Sequence, residues 1–559
     1  HARLKAEKTP GDADDEAVET HAAAEGGDEA YAPYSRRARD LYQLAAPPFL
    51  FACAQRTALL RSILEAPSEA GGCALDLSHL TRERVVSQVF ALHDADERIA
   101  LEEAWTTASA MAMAPAPLAK LCNYFGPQYA LYFAYLRTYS LWLWPPAILG
   151  ALLFIVQESV YGGQENVWGA FFCLLLIAWA AGFAQAWRRR EAGLREQWGL
   201  PKAVPEIERP GFNGGRAAGL SGAFAAGFYT ENDQFVPVDP AAVLEGADVP
   251  VAPAMSNFER KLRLIFSWAI ILLAMGLTVT TQLALLLFRS VAQQLVDPAW
   301  LGGLAAAVAC AVVVEGMQLW MTPMVGALVH FQRHRSYGVH EGHHAAQLFA
   351  LSFVNRFFSP FYLAVLKKVQ MPQRFLFIYE DVQTAATTAV GQGDTGLTLE
   401  AFEETCRDRS GNPSDDCMEE LFTQILALVV VNALLQNAVE YAGVAFAACC
   451  RRVTRGGTRV ASEAALAAAD GTHLAHNLFE LSMSFAMVAL FAGACPLVGL
   501  VALLNNAIEG RCDAFLHLRC LQRPMPRRVG GFGAWNSILT MIAYLGILTN
   551  SILLCHTST

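Results

Sequence analysis

LFELSMSFAMVALFAGACPLVGLVALLNNAIEGRCDAF, residues 478–515, is apolar over a length that suits two membrane helices, yet it carries Glu480, Glu509 and Asp513. A carboxylate at the centre of a bilayer costs roughly 2.5–3.5 kcal/mol on insertion scales, so acids in such runs face a bundle interior and mark an ion or substrate site. Cys495-Pro496 divides the run, and a tight reversal there fits better than one long helix. Three acids on adjoining helices suggest a cation.

The rest of the chain has the same character. Its 559 residues are 54% hydrophobic and only 16% charged, with mean hydropathy +0.30, which excludes an ordinary soluble enzyme and predicts a polytopic, mainly α-helical membrane protein. A formal charge of −10 gives no argument for a nucleic-acid partner. Part of that charge lies in an Ala, Gly, Asp and Glu-rich tract, and residues 1–39 are expected to be disordered. Residues 40–122 read as a small cytosolic α+β domain, and 123–559 as the transmembrane domain. A helical span needs about 20 mainly apolar residues. That rule places spans at 130–156, 167–187, 264–288, 300–329, 344–366, 417–447, 478–495, 496–518 and 533–556.

Orientation follows from Lys and Arg. Arg188, Arg189, Arg190, Arg195, Lys202, Arg209 and Arg216 follow span two, Arg333 and Arg335 follow span four, Arg451, Arg452, Arg455 and Arg459 follow span six, and Arg519, Arg523, Arg527 and Arg528 follow span eight. These loops are expected in the cytosol, together with the N-terminus. The alternate loops oppose them, since 157–166 holds no Lys or Arg and 369–416 is acid-rich. Of 13 cysteines, Cys406 and Cys417 fall in or beside that outer loop, where a disulfide is chemically permitted and two free thiols are the alternative.

Helical spacing extends the acidic set, because residues three or four apart share a face. Span six offers Gln436 and Glu440, span seven Asn477 and Glu480, and span eight Glu509 and Asp513. Six oxygen side chains without Cys or His suit Ca²⁺, which takes six to eight oxygen ligands in flexible geometry. The residues alone leave open a pore lining, a proton relay, or pairing with Arg511 at the interface. His340-Glu341-Gly342-His343-His344 also fits the H-E-x-x-H zinc pattern, but no third ligand is evident and the segment reads as a solvated helix start. Polar residues inside spans three to six suggest a permeation route: Thr281 and Gln282, Glu315 and Gln318, Asn355 and Arg356, and Thr423 and Asn432. Interhelical hydrogen bonding is the competing reading, and Arg356 could pair with Glu315. No phosphate-cradling glycine loop is present, which disfavours ATP-driven transport.

NYFGPQYALYFAYL (123–136), WRRREAGLREQWG (187–199), ERPGF (208–212), HEGHHAAQLFALSFVNRFFSPFYLAVLKK (340–368), PLVGLVALLNNAIEGRCDAF (496–515) and GAWNSILTMIAYLGILTNSILLCHTS (533–558) together resemble the anoctamin family of calcium-activated chloride channels and phospholipid scramblases. The resemblance covers most of residues 80–558. It implies a homodimer of ten-span subunits, each with a groove bounded by spans three to seven, and Ca²⁺ held by Gln436, Glu440, Asn477, Glu480, Glu509 and Asp513. It also implies a Cys406–Cys417 disulfide. Three departures stand out: Gln436 replaces the family's asparagine and has Asn437 beside it, Asn477 replaces an acid, and Val430 stands at the family's flexible glycine. Fewer acids weaken calcium binding. The sequence also ends just past the ninth span, which leaves the dimer seam of the tenth unaccounted for.

The expectation is therefore a calcium-activated phospholipid scramblase of the plasma membrane or an internal membrane, moving lipid and doing no covalent chemistry. A calcium-activated anion (chloride) channel is the alternative, and a non-transporting structural subunit a further one.

Overall fold

The computed structural model describes residues 2–3, 31–32, 51–66, 72–75, 77–82, 84–106, 117–161, 167–200, 227–229, 235–237, 257–296, 299–334, 336–367, 406–407, 413–414, 417–453, 458–468, 471–527 and 529–557. The tract expected to be disordered lies outside these, apart from a two-residue ladder of Ala2–Arg3 with Tyr31–Ala32. Most of the acidic outer loop lies outside as well.

Apolar runs of span length become helices because a helix satisfies every backbone group internally, which hydrocarbon requires. Four helices precede the membrane segment: α1 (Cys53–Glu65), α2 (Leu77–Arg82), α3 (Ala95–Thr106) and α4 (Leu118–Phe125). The strands expected in 40–122 are not seen among the described residues, whose one extended pairing there is the bridge Ala91 to Arg523.

Span one is broken into α5 (Pro127–Trp142) and α6 (Trp144–Val156). The Pro145-Pro146 pair sits in the first turn of α6, where missing amide donors cost least. Gly126 makes the corner between α4 and α5 at φ 97°, a conformation that L side chains rarely adopt. A Cβ there would also meet Pro526 Cβ at 3.2 Å.

The later spans are α7 (Val167–Gln197), α8 (Asn257–Leu295), α9 (Ala299–Phe331), α10 (Tyr337–Phe361) and α11 (Met418–Val453). The short helix α12 (Arg459–Ala464) precedes α13 (Gly471–Phe491), α14 (Val498–Phe515) and α15 (Ala534–Thr557). Among the described residues, and with α5 and α6 taken as one segment, eight helical segments are long and apolar enough to cross a membrane. The 18-residue α14 is span-sized at about 27 Å, but its own Glu509, Arg511 and Asp513 set it apart from that apolar group. The reversal expected at Cys495-Pro496 is a turn between α13 and α14. Through Val430, α11 is one uninterrupted helix.

Two bundles meet along one seam. Helices α8, α9 and α10 pack on one another, with α11 against α9, while α7, α13 and α15 pack together and α14 lies on α6. The seam joins α11 to α14, and α10 to α13 and α15. An aromatic core of Tyr135, Tyr139, Phe183, Trp187, Phe485 and Phe532 fills the second bundle, with all six buried.

Candidate metal centre and groove

Acids of α13 and α14 come together where these two helices pack against α5. Asp513 and Glu509 lie one turn apart on α14, only 2% and 6% exposed. Asn477 on α13 donates its amide to Asp513 Oδ2 at 3.1 Å, and the Tyr132 hydroxyl of α5 donates to the same oxygen. Both donors are neutral. Among the described residues no lysine or arginine bonds to Asp513, and Arg511 is exposed on another face of α14. A buried carboxylate held only by neutral donors is expensive unless a cation completes it.

Glu480, one turn along α13 from Asn477, stands close enough to Asp513 for the two acids to repel, and it pairs with His476 at 3.0 Å. The side chains of Gln436 and Glu440 lie outside the described residues, though both positions are one turn apart on α11. Their neighbour Asn437 is described. It donates to Asn505 Oδ1 of α14 at 2.8 Å, and Asn505 in turn donates to Glu509 Oε2 at 3.4 Å. An amide chain therefore links α11 to the acids. Tyr132 and Asn505 were both missed in the sequence reading. Asn505 had a signal, because it stands four residues before Glu509 as Glu509 does before Asp513; Tyr132 had none.

The donor set fits calcium. Two buried carboxylates, a third beside them and an amide oxygen, without thiolate or imidazole among them, make a hard oxygen site. The H-E-x-x-H segment instead lies within the first two turns of α10, which is capped by the Ser336 hydroxyl accepting from Val339 N at 3.3 Å. A compact set at Cys53, Asp94 and Glu97 is served by arginines, with Arg523 donating to Cys53 Sγ at 3.0 Å and Arg56 lying 3.9 Å from Glu97.

Each of the polar residues expected to line a route through spans three to six has a hydrogen-bond partner, on a neighbouring helix or its own. Arg356 of α10 bonds Glu315 of α9 at 2.6 Å and Asn432 of α11 at 2.9 Å. Gln282 of α8 donates to the Asn355 carbonyl at 3.1 Å, and the Asn355 amide to the Val314 carbonyl at 2.9 Å. Gln318 reaches Ser352 at 2.9 Å. Thr281 and Thr423 bond backward to Leu277 and Glu419 carbonyls of their own helices, each within 2.9 Å. One further buried cation was not anticipated. Arg289, at the far end of α8, donates to Gln424 Oε1 at 3.0 Å and to the Glu420 carbonyl at 3.2 Å, while Lys367 pairs with the Glu420 carboxylate at 2.7 Å. Near it, Cys417 is disulfide-bonded. The Cys406 side chain lies outside the described residues.

A second network joins the N-terminal helices to the end of α14. The buried His93 bonds the Tyr124 hydroxyl at 2.8 Å and the Leu521 carbonyl at 3.0 Å. A carbonyl only accepts, so Nε2 carries the proton and Nδ1 accepts from tyrosine. Burial pushes this imidazole below its ordinary value. Arg523 lies over the Tyr124 ring, 4.3 Å from its centroid.

A family profile described as "Anoctamin: Calcium-activated chloride channel" matches residues 121–559. Among curated proteins, the chain is 25% identical over 504 residues to Anoctamin-7 of Mus musculus, covering 79% of this chain and 53% of that protein. It is 23% identical over 490 residues to Anoctamin-10 of Homo sapiens, with 86% and 63% covered. To Anoctamin-5 of Homo sapiens it is 20% identical over 613 residues, with 94% and 62% covered. The chain spans about half the length of the first of these relatives.

Proposed function

The chain belongs to the anoctamin family, and from that membership we propose that it is a calcium-activated phospholipid scramblase moving lipids through a membrane-facing groove. It is an integral, multi-pass membrane protein. The observation that carries the proposal is the convergence of Asn477, Glu509 and Asp513 in a buried position where, among the described residues, Asp513 accepts hydrogen bonds from neutral donors only.

Calcium, when bound, would supply the positive charge that lets these acids approach. The chain's own residues do the rest. Gln436 and Glu440, one turn apart on α11, would complete the set with Asn477 and Glu480 on α13 and Glu509 and Asp513 on α14. Asn432 stands one turn before Gln436 on the same rigid helix, and it bonds Arg356. Any shift of α11 toward α13 and α14 therefore moves Asn432 against Arg356 and Glu315, at the contact between α9 and α11 where the groove would open to lipid. The calcium arrangement must be bound more tightly in the open form than in the closed one for this to gate.

A second reading, a calcium-activated anion channel, draws on the buried Arg289, whose Nε has no hydrogen-bond partner among the described residues. We further propose that the subunit is one half of a homodimer with a cytosolic N-terminus, in the plasma membrane or an internal membrane. Reconstitution into liposomes decides between lipid and ion: dye reduction of labelled lipid beside anion flux, each with and without Ca²⁺. Calcium-dependent lipid movement, lost in Asp513→Asn and Glu509→Gln, supports the proposal. Anion flux without lipid movement replaces it with the channel, and neither activity leaves the structural-subunit reading.

A further inference from the structure

The candidate centre draws on a helix outside α11, α13 and α14. Tyr132 lies on α5 with no solvent exposure, and its hydroxyl donates to Asp513 Oδ2, the oxygen that also accepts from Asn477. Two donors use the two lone-pair directions of Oδ2, which leaves Oδ1 as the oxygen available to a cation. A hydroxyl bonded to a carboxylate is about twice as strong as a neutral pair, and burial excludes water that could replace it. The helix itself is pinned beside the site, because Tyr129 and Phe133 flank the buried His517 ring at 5.1 and 6.1 Å, edge to face, just after α14.

We propose that Tyr132 is a positioning residue of the calcium centre, holding the Asp513 carboxylate so that a single, predetermined oxygen meets the ion. This rests on the calcium reading given above. The companion Tyr139 supplies the control: also buried on α5, its hydroxyl faces Ser484 at 3.2 Å rather than a bonded acid.

The test is calcium binding by the purified full chain in detergent, read as the Ca²⁺-induced rise in unfolding temperature. Tyr132→Phe should need about tenfold to a hundredfold more Ca²⁺ than the wild type, the fold-change expected for losing a hydrogen bond to a charged group. Tyr139→Phe should keep the wild-type calcium midpoint whatever it does to basal stability. An unchanged midpoint in Tyr132→Phe overturns the proposal, as does tighter binding, which would make the hydroxyl a competitor of the ion. If the wild type itself shows no calcium shift, the calcium reading falls, and this inference with it. Should Tyr132→Phe fail to fold, Tb³⁺ bound by the wild type gives the second readout: tyrosine-sensitised emission quenched by Ca²⁺ is expected, and Tb³⁺ binding without sensitised emission overturns it.

Discussion

Under the proposed function, changing Glu315 to Gln should loosen the contact of α9 with α10 and α11. The Glu315 carboxylate lies 2.6 Å from Arg356 Nη2, and the two side chains are 13% and 10% exposed, so solvent screens them little. At an effective dielectric near 20, that separation corresponds to about 6 kcal/mol of gross attraction. Desolvation of both groups cancels much of it. Glutamine keeps an acceptor and the helix packing, and Asn432 still holds the guanidinium, so the net loss is of the size of one hydrogen bond to a charged group, about 1.5–3 kcal/mol. If the triad exists only when α9, α10 and α11 are closed on one another, the calcium-free open fraction rises roughly tenfold to a hundredfold or more. Dithionite reduction of labelled lipid in proteoliposomes measures this directly: Glu315→Gln should show faster scrambling without Ca²⁺ and a lower calcium midpoint. A double-mutant cycle with Arg356→Gln isolates the pair from effects of either side chain alone. A folded Glu315→Gln protein with wild-type basal rate and midpoint would refute the reasoning, because the ion pair would then be equally present in both states.

Three other outcomes follow from single contacts. Gly531→Ala should destabilise the protein by about 2 kcal/mol or more, since Gly531 has φ 141° and a Cβ would lie 2.3 Å from Glu191 Oε1; an unchanged unfolding temperature would contradict it. His93 is held below its ordinary value by burial, so the unfolded chain takes up the proton first. Stability is full above about pH 6.5 and falls as pH drops below it; thermal unfolding across pH 7.5 to 5 should show an acid loss that is smaller in His93→Gln, and equal losses would dismiss His93 as its source. Cys417→Ser should cost about 2–4 kcal/mol of stability, and if Cys406 is its partner, Cys406→Ser and the double variant should cost no more; additive losses would assign a different partner.

Periodicity exposes one face of one helix, and that accounts for what the sequence made legible. Glu509 and Asp513 declared themselves because an acid in hydrocarbon is costly, and Asn477 joined them through its one-turn relation to Glu480. The helical architecture was likewise readable from apolar runs, down to the reversal at Cys495-Pro496. Which faces meet was not readable. Tyr132 lies 381 residues from Asp513 in the chain and looks like one more aromatic in a membrane span. Arg289 resembled the charged end of a span, whereas packing against Gln424 and Glu420 buries it to 5% exposure. The polar residues of spans three to six were visible as a set, but a list of polar positions looks the same whether they line a path or bond across helices. His93 was hidden for a different reason, since one of its partners is a main-chain carbonyl that no side-chain pattern announces.

Val430 sharpens how the two halves of the site can communicate. Where the resemblance places a flexible glycine, this chain has a β-branched residue inside a helix that runs unbroken from Met418 to Val453. Valine holds one strongly preferred rotamer in a helix and lacks the backbone freedom of glycine. A local bend of α11 at that point is therefore disfavoured, and motion near the acids must be carried along the helix as a shift or rotation. Asn432 then moves together with Gln424 and Glu420, which are anchored to Arg289 and Lys367 at the other end. Opening the groove requires that these anchors slide or break along with the Arg356 contacts. The anchors thus oppose the same displacement that the acids favour, and weakening Arg289 by substitution to Gln should shift the calcium midpoint in the same direction as Glu315→Gln, although the two side chains sit on different helices and bond different partners.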